Sequence, residues 1–152
     1  MNGQSAEGNQ SQAGICQALA PTAICRVEFD RFFAIVSAVN NKENPWIQIA
    51  PGIKRRTIGS GATMYQMRAE LEAGSRMPQH SHPQEQIAHV IKGRMIMIVD
   101  GIRHEMAAGD AIYLASNQPH GVETIEDTTI IDTFSPPRDD YLALDEQARR
   151  AP

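Results

Sequence analysis

His80-Ser81-His82, then Gln86, and His120 behind Pro119 are the residues of this chain whose types and spacing best suit chemistry. Two histidines at i and i+2 on a strand point to the same side, because strand side chains alternate faces. A glutamine four residues beyond His82 and a third histidine on a later strand would complete a pocket for one metal ion. Imidazole nitrogens with an oxygen ligand suit Zn, Fe, Ni, Cu or Mn. Three imidazoles and an amide are neutral donors, so such an ion keeps its full charge to polarise a substrate carbonyl, hydroxyl or bound water. That leans toward Lewis-acid action on an oxygen-rich substrate, with O2 chemistry still open. Glu85 is the alternative oxygen ligand.

A second group lies further on, in Asp132-Thr-Phe134-Ser-Pro-Pro-Arg138-Asp-Asp-Tyr141. Asp132 and Phe134 share strand parity and could both face a pocket, with Arg138 turning back over its mouth. An inward aspartate near a cation could act as general base or acid, its pKa set by burial against charge. Arg138 could clamp a carboxylate bidentately. A strand ending in a Pro-Pro exit, with a surface salt bridge, would carry the same residues. His89 sits three positions after Gln86 and so faces away from the metal on a regular strand. His104 belongs to a strand that reads as exposed. Neither is expected to be a ligand.

The elements that must position these groups are short strands. Ile47–Ile49, Ile53–Ile58, Thr63–Leu71, Gln86–Ile91, Arg94–Val99, Ala111–Leu114, Val122–Ile125 and Thr128–Phe134 are candidates, separated by Gly, Pro and Asn clusters. Asp100-Gly101 is a tight-turn signal between an apolar strand and a short polar one. Many short strands at close spacing argue for an all-β barrel or sandwich. Tyr141 to Arg150 has helical composition and should pack outside the barrel. Residues 1–21, rich in Gln, Gly, Ser, Asn and Ala, read as a disordered or loosely ordered arm. Residues 22–45 read as an extension and linker, 46–142 as the barrel, and 143–152 as a C-terminal helix and tail.

The chain has 152 residues, 41% hydrophobic and 21% charged, as expected of one globular domain. A net charge of −4 leaves no electrostatic case for nucleic acid. Lys54-Arg55-Arg56 is the only basic cluster and reads as a solvated strand end or pocket rim. No apolar run approaches the ~20 residues of a membrane helix. Residues 1–14 lack the charge and apolar block of a secretory signal, which favours the cytoplasm. Cys16 and Cys25 read as free thiols away from the motif.

From Gly74 to Gly93 the sequence G-SRMPQ-H-S-H-PQE-Q-IAHVIK-G resembles the first signature of the cupin superfamily, with Gln86 where that family usually has Glu. Strand parity and the spacing to Gly93 both favour Gln86 over Glu85 as the ligand. His104 to His120 resembles the second signature, with Gly109-Asp110 at the turn, Pro119-His120 at the last ligand, and Ala107 replacing the usual Pro. The resemblance implies a single cupin barrel, a double-stranded β-helix of jelly-roll type with short flanking helices. His-x-His-Pro-x-Glu-Gln, Asn-x-Pro-His and Asp-x-Phe-Ser-Pro-x-Arg-x-Asp-Tyr together resemble small single-domain cupins of the pectin-degradation group, over about Trp46 to Leu142. Members of that group convert unsaturated uronates into linear keto sugars. The resemblance implies that His80, His82, Gln86 and His120 hold one divalent metal ion (Zn, Ni, Fe or Mn). It implies also that Asp132, Phe134 and Arg138 shape the site and catalyse. His89 stands where relatives often carry Tyr.

The expected activity is therefore a metal-dependent isomerase or tautomerase acting on an unsaturated uronate or similar enol sugar. The alternatives are a cupin dioxygenase, a polyketide cyclase with an apolar, partly methionine lining, and a non-enzymatic cupin that binds a small molecule. The expected partners are a small carboxylate-bearing substrate and a second copy of the chain in a homodimer, with no nucleic acid or membrane.

Overall fold

In the computed structural model of this protein, residues 44–151 are described; the readings made for the N-terminal arm, most of the extension, Cys16 and Cys25 lie outside them. Ten strands and one helix follow in chain order: β1 (Ile47–Ala50), β2 (Ile53–Ser60), β3 (Tyr65–Leu71), β4 (Arg76–His80), β5 (Glu85–Lys92), β6 (Arg94–Val99), β7 (Ile102–Ala107), β8 (Ala111–Leu114), β9 (His120–Thr124), β10 (Thr128–Ser135) and α1 (Asp139–Arg150). They form a six-stranded sheet, β1-β2-β3-β10-β5-β8, and a four-stranded sheet, β4-β9-β6-β7. Every pairing is antiparallel. This is the all-β jelly-roll-like barrel expected. No helix among the described residues is long and apolar enough to cross a membrane.

Alternation along the strands decides what lies inside. In β3, Tyr65, Met67, Ala69 and Leu71 are buried; in β5, Gln86, Ala88 and Val90; in β10, Thr128, Ile130, Asp132 and Phe134. The core is thus mostly aliphatic and methionine, with Met95, Met97, Leu114 and Val122 contributed by the other strands. Gln86, Asp132 and Phe134 stand at core positions on the same inward period.

One strand, β4, departs from the sequence reading. β4 is missing from the strand candidates because Arg76-Met77-Pro78-Gln79-His80 is polar and contains proline, which cannot donate to a ladder. It lies at the edge of its sheet, the place where proline is tolerated. β7 is also an edge strand, exposed over its first four residues, and it follows the Asp100-Gly101 turn, where both residues have positive φ. Helix α1 starts at Asp139, two residues before the helical composition begins, with two acidic residues in its first turn and two basic ones in its last.

The basic cluster on β2 requires a correction. Arg55 is completely buried, and its Nη1 lies 2.5 Å from Asp145 Oδ1 on α1. Strand parity sends Lys54 and Arg56 outward and Arg55 inward. Composition alone hides this, because the counter-charge lies 90 residues away.

Gly93, between β5 and β6, carries φ of 85°, and a Cβ there would lie 2.4 Å from the Asp127 carbonyl oxygen. Gly93→Ala meets both the left-handed backbone penalty, about 1–3 kcal/mol, and a backbone clash. Urea unfolding should show a loss larger than that penalty alone. An unchanged midpoint would contradict the packing of this turn against β10.

Candidate metal centre

His80 closes β4 and His120 opens β9, and the register places them directly opposite each other. Their ring centroids are 4.4 Å apart. His82 does not share a strand with His80, as the i, i+2 reading had it; it lies in the connection between β4 and β5. Its ring still converges, 5.0 Å from His120 and 6.0 Å from His80. One ligand nitrogen from each of the three lies within 4.8 Å of the others. His82 and His120 are buried, and His80 is at the open rim.

Each imidazole has its Nδ1 against a backbone carbonyl oxygen: His80 with Pro78 at 2.9 Å, His82 with Gln84 at 3.0 Å, and His120 with Gln118 at 2.7 Å. A carbonyl only accepts, so Nδ1 must carry the proton and Nε2 the lone pair. This pattern orients metal-ligating histidines. Burial is the main cause pushing both inner histidines down, His120 to about 4, with Arg138 adding to the effect at each. Both are therefore neutral at pH 7, as a ligand must be.

Gln86, at the start of β5, donates its Nε2–H to Asp132 Oδ1 at 2.9 Å, which turns Oε1 toward His82 Nε2 at 3.0 Å. A neutral His82 that donates from Nδ1 cannot also donate from Nε2. Two lone pairs then face each other, and the depressed pKa of His82 opposes a second proton on the ring. A cation between them resolves the conflict. The donor set fits a metal ion, with Nε2 of the three histidines and Oε1 of Gln86 as the atoms that could hold it. Glu85 is exposed and accepts a hydrogen bond from Tyr113 Oη at 3.2 Å, away from this centre. His89 and His104 are exposed on β5 and β7, away from the three clustered histidines.

Asp132 lies in the middle of β10 and is 3% exposed. Burial raises its carboxyl to about 7, against the opposing pull of the Gln86 amide and Arg138. The amide matters here. A glutamate at position 86 would set two carboxylates side by side and force one to stay protonated. Phe134 pairs across from Gln86 and packs edge-on against His82, with centroids 5.4 Å apart.

The chain leaves β10 through a cis Ser135–Pro136 bond and reaches Arg138, the residue preceding α1. Arg138 is 8% exposed and lines the same cavity as the three histidines, Asp132 and Phe134. Its side edge is taken: Nε donates to Asp140 Oδ1 at 2.8 Å and Nη2 to Asp140 Oδ2 at 2.6 Å. The salt bridge anticipated as the alternative reading thus exists, but on a buried guanidinium rather than a surface one. A ligand carboxylate would meet the end edge of the fork, the one that includes Nη1. Tyr141, given no role in the sequence reading, also lines this cavity, with Arg138 Cζ 3.9 Å from its ring centroid. Its position three residues after Arg138, one helical turn on, was the available signal.

The rest of the lining is apolar, including Ile49, Met67, Met77, Met97 and Val122. Among the other methionines, Met95 and Met106 are buried in the core without lining this cavity, and Met64 is 57% exposed.

The cupin domain family matches residues 67–133. The pectin degradation protein KdgF of Dickeya dadantii (strain 3937) is 33% identical over 102 residues, which cover 66% of this chain and 93% of the relative. The chain is a small cupin. Among solved structures, this cupin is similar to KdgF from Halomonas sp., at TM-score 0.65 and 29% identity, over 69% of the chain and 97% of the neighbour. It is also similar to an RmlC-like cupin from Shewanella frigidimarina NCIMB 400, at TM-score 0.64 and 26% identity, over 68% and 93%.

Proposed function

We propose that this cupin is a metal-dependent isomerase that converts an unsaturated uronate, or a similar enol sugar, into its linear keto form. The observation that carries the reading is one buried carboxylate, Asp132, which accepts the Gln86 Nε2–H while Gln86 Oε1 faces His82 Nε2 of the histidine cluster, with a guanidinium on the same cavity. Similarity to a pectin degradation protein over 93% of that relative supports the substrate class. A divalent cation held by His80, His82, Gln86 and His120 would supply Lewis-acid polarisation of the sugar oxygens.

The residues of the chain supply the rest. Ring opening takes the proton from the hemiacetal hydroxyl and breaks the ring C–O bond, leaving an aldehyde and an enolate. Ketonisation then adds one proton at the enol carbon. The proton lost equals the proton gained, so a single carboxylate that accepts and returns it suffices. Asp132, buried on the cavity with its carboxyl raised by burial, is the group placed to make that exchange. The end edge of Arg138 would hold the substrate carboxylate, and Phe134 would wall the cavity beside His82.

The assay is loss of the conjugated absorbance of an unsaturated galacturonate monomer on addition of the full-length, metal-loaded protein. Acceleration over the spontaneous opening is expected. No acceleration with stoichiometric metal bound would overturn the reading. The apolar lining favours, as a second reading, a larger enolisable substrate that is cyclised or oxygenated. Aromatic polyketide turnover without uronate turnover would select it.

A further inference from the structure

Arg55 and Asp145 are both completely buried, and neither touches the candidate metal centre. A buried ion pair is an expensive way to hold a helix on a barrel, since well-packed apolar residues would often do as well. What the pair contacts gives it another role. Arg55 Nη1 reaches Asp145 Oδ1 at 2.5 Å, and Thr57 Oγ1 donates to Asp145 Oδ2. Arg55 Nη2 donates to the Tyr141 carbonyl oxygen at 2.8 Å, and its Cζ lies 4.4 Å from the Tyr141 ring centroid. The same ring carries the Arg138 guanidinium at 3.9 Å. Tyr141 therefore serves two guanidiniums, one anchored by Asp145 and one on the cavity.

We propose that Arg55 and Asp145 are positioning residues for ligand binding, fixing Tyr141 and, through its ring, the guanidinium of Arg138. The inference rests on the reading that Arg138 meets a ligand carboxylate. Asp140 alone cannot fix that guanidinium, because its own side chain is more than half exposed. The ring supplies a second constraint through cation–π stacking. The register of α1 on the barrel thereby sets the aim of the clamp.

The first test needs no ligand. In the full chain, the Arg138 Nε–H should give a persistent NMR signal, assigned by its loss in Arg138→Lys. Tyr141→Leu and Asp145→Asn should each expose it to fast exchange and remove the signal, whereas Tyr141→Phe should retain it. Persistence of the signal in folded Asp145→Asn would overturn the proposal. If that variant does not fold, Tyr141→Leu, which leaves the buried pair intact, decides in the same way. The second test titrates metal-loaded protein with D-galacturonate, an unreactive uronate. Asp145→Asn should weaken binding by between about 10- and 100-fold, the scale of a misplaced contact. In an Arg138→Lys background it should add no further loss, and full additivity would overturn the proposal. Failure of the unaltered protein to bind galacturonate would count against Arg138 as a carboxylate clamp, while the exchange test would still decide the positioning.

Discussion

Asp132→Asn is expected to lower turnover by about 10²–10⁴-fold, the range for loss of a positioned acid–base group, with the metal still bound. The substitution is nearly isosteric, and an asparagine carbonyl can still accept the Gln86 Nε2–H that now bonds Asp132 Oδ1 at 2.9 Å. Gln86 therefore keeps its orientation toward His82, and the site keeps its shape. Only the exchangeable proton is lost. Burial of Asp132 is what raises its pKa, and a bound divalent cation would pull it back down. Burial and the cation thus oppose each other near the working pH. Steady-state kinetics paired with metal analysis read both quantities. Retained turnover would remove Asp132 from the proton-transfer role; lost metal would make it a structural support of Gln86 instead.

His120→Ala is expected to weaken metal binding by more than about 100-fold, beyond the 10- to 100-fold typical of losing an outer hydrogen-bond partner. His120 is buried, held at Nδ1 by the Gln118 carbonyl, and centred between the other two rings. No other described histidine can replace it, since His89 and His104 are exposed on β5 and β7. Competition with a chromophoric chelator measures the affinity, with His89→Ala as the control that should leave it unchanged. Stripping the metal should leave far-UV circular dichroism intact, because the core also rests on Met95, Val90, Met106 and Leu114, which do not line the site. Activity should vanish and return with added ion. Full metal retention in His120→Ala would dismantle the centre as described.

Much of this site was legible as spacing. The histidines and Gln86 stand at ligand spacing, and Asp132 and Phe134 share the inward parity of one strand. The convergence of His80 and His82 has a different cause from the one the sequence suggested. Strand alternation would have aligned them had both been on one strand, but β4 ends at His80. His82 is instead aimed by the bond from its Nδ1 to the Gln84 carbonyl. β4 was hidden because Pro78 and a polar composition argue against a strand, and only its edge position makes them compatible.

By itself the sequence determined the local matters: which residues alternate inward, where glycines allow turns, and which neutral donors stand at ligand spacing. Those follow from backbone sterics and periodicity, which act over a few residues. The tertiary structure decided the long-range pairings. It sent Arg55 inward to meet Asp145 across 90 residues and brought the Arg55 guanidinium against Tyr141. The physical reason is that charge pairing and burial depend on distances through space. No window along the chain contains both partners of the buried pair.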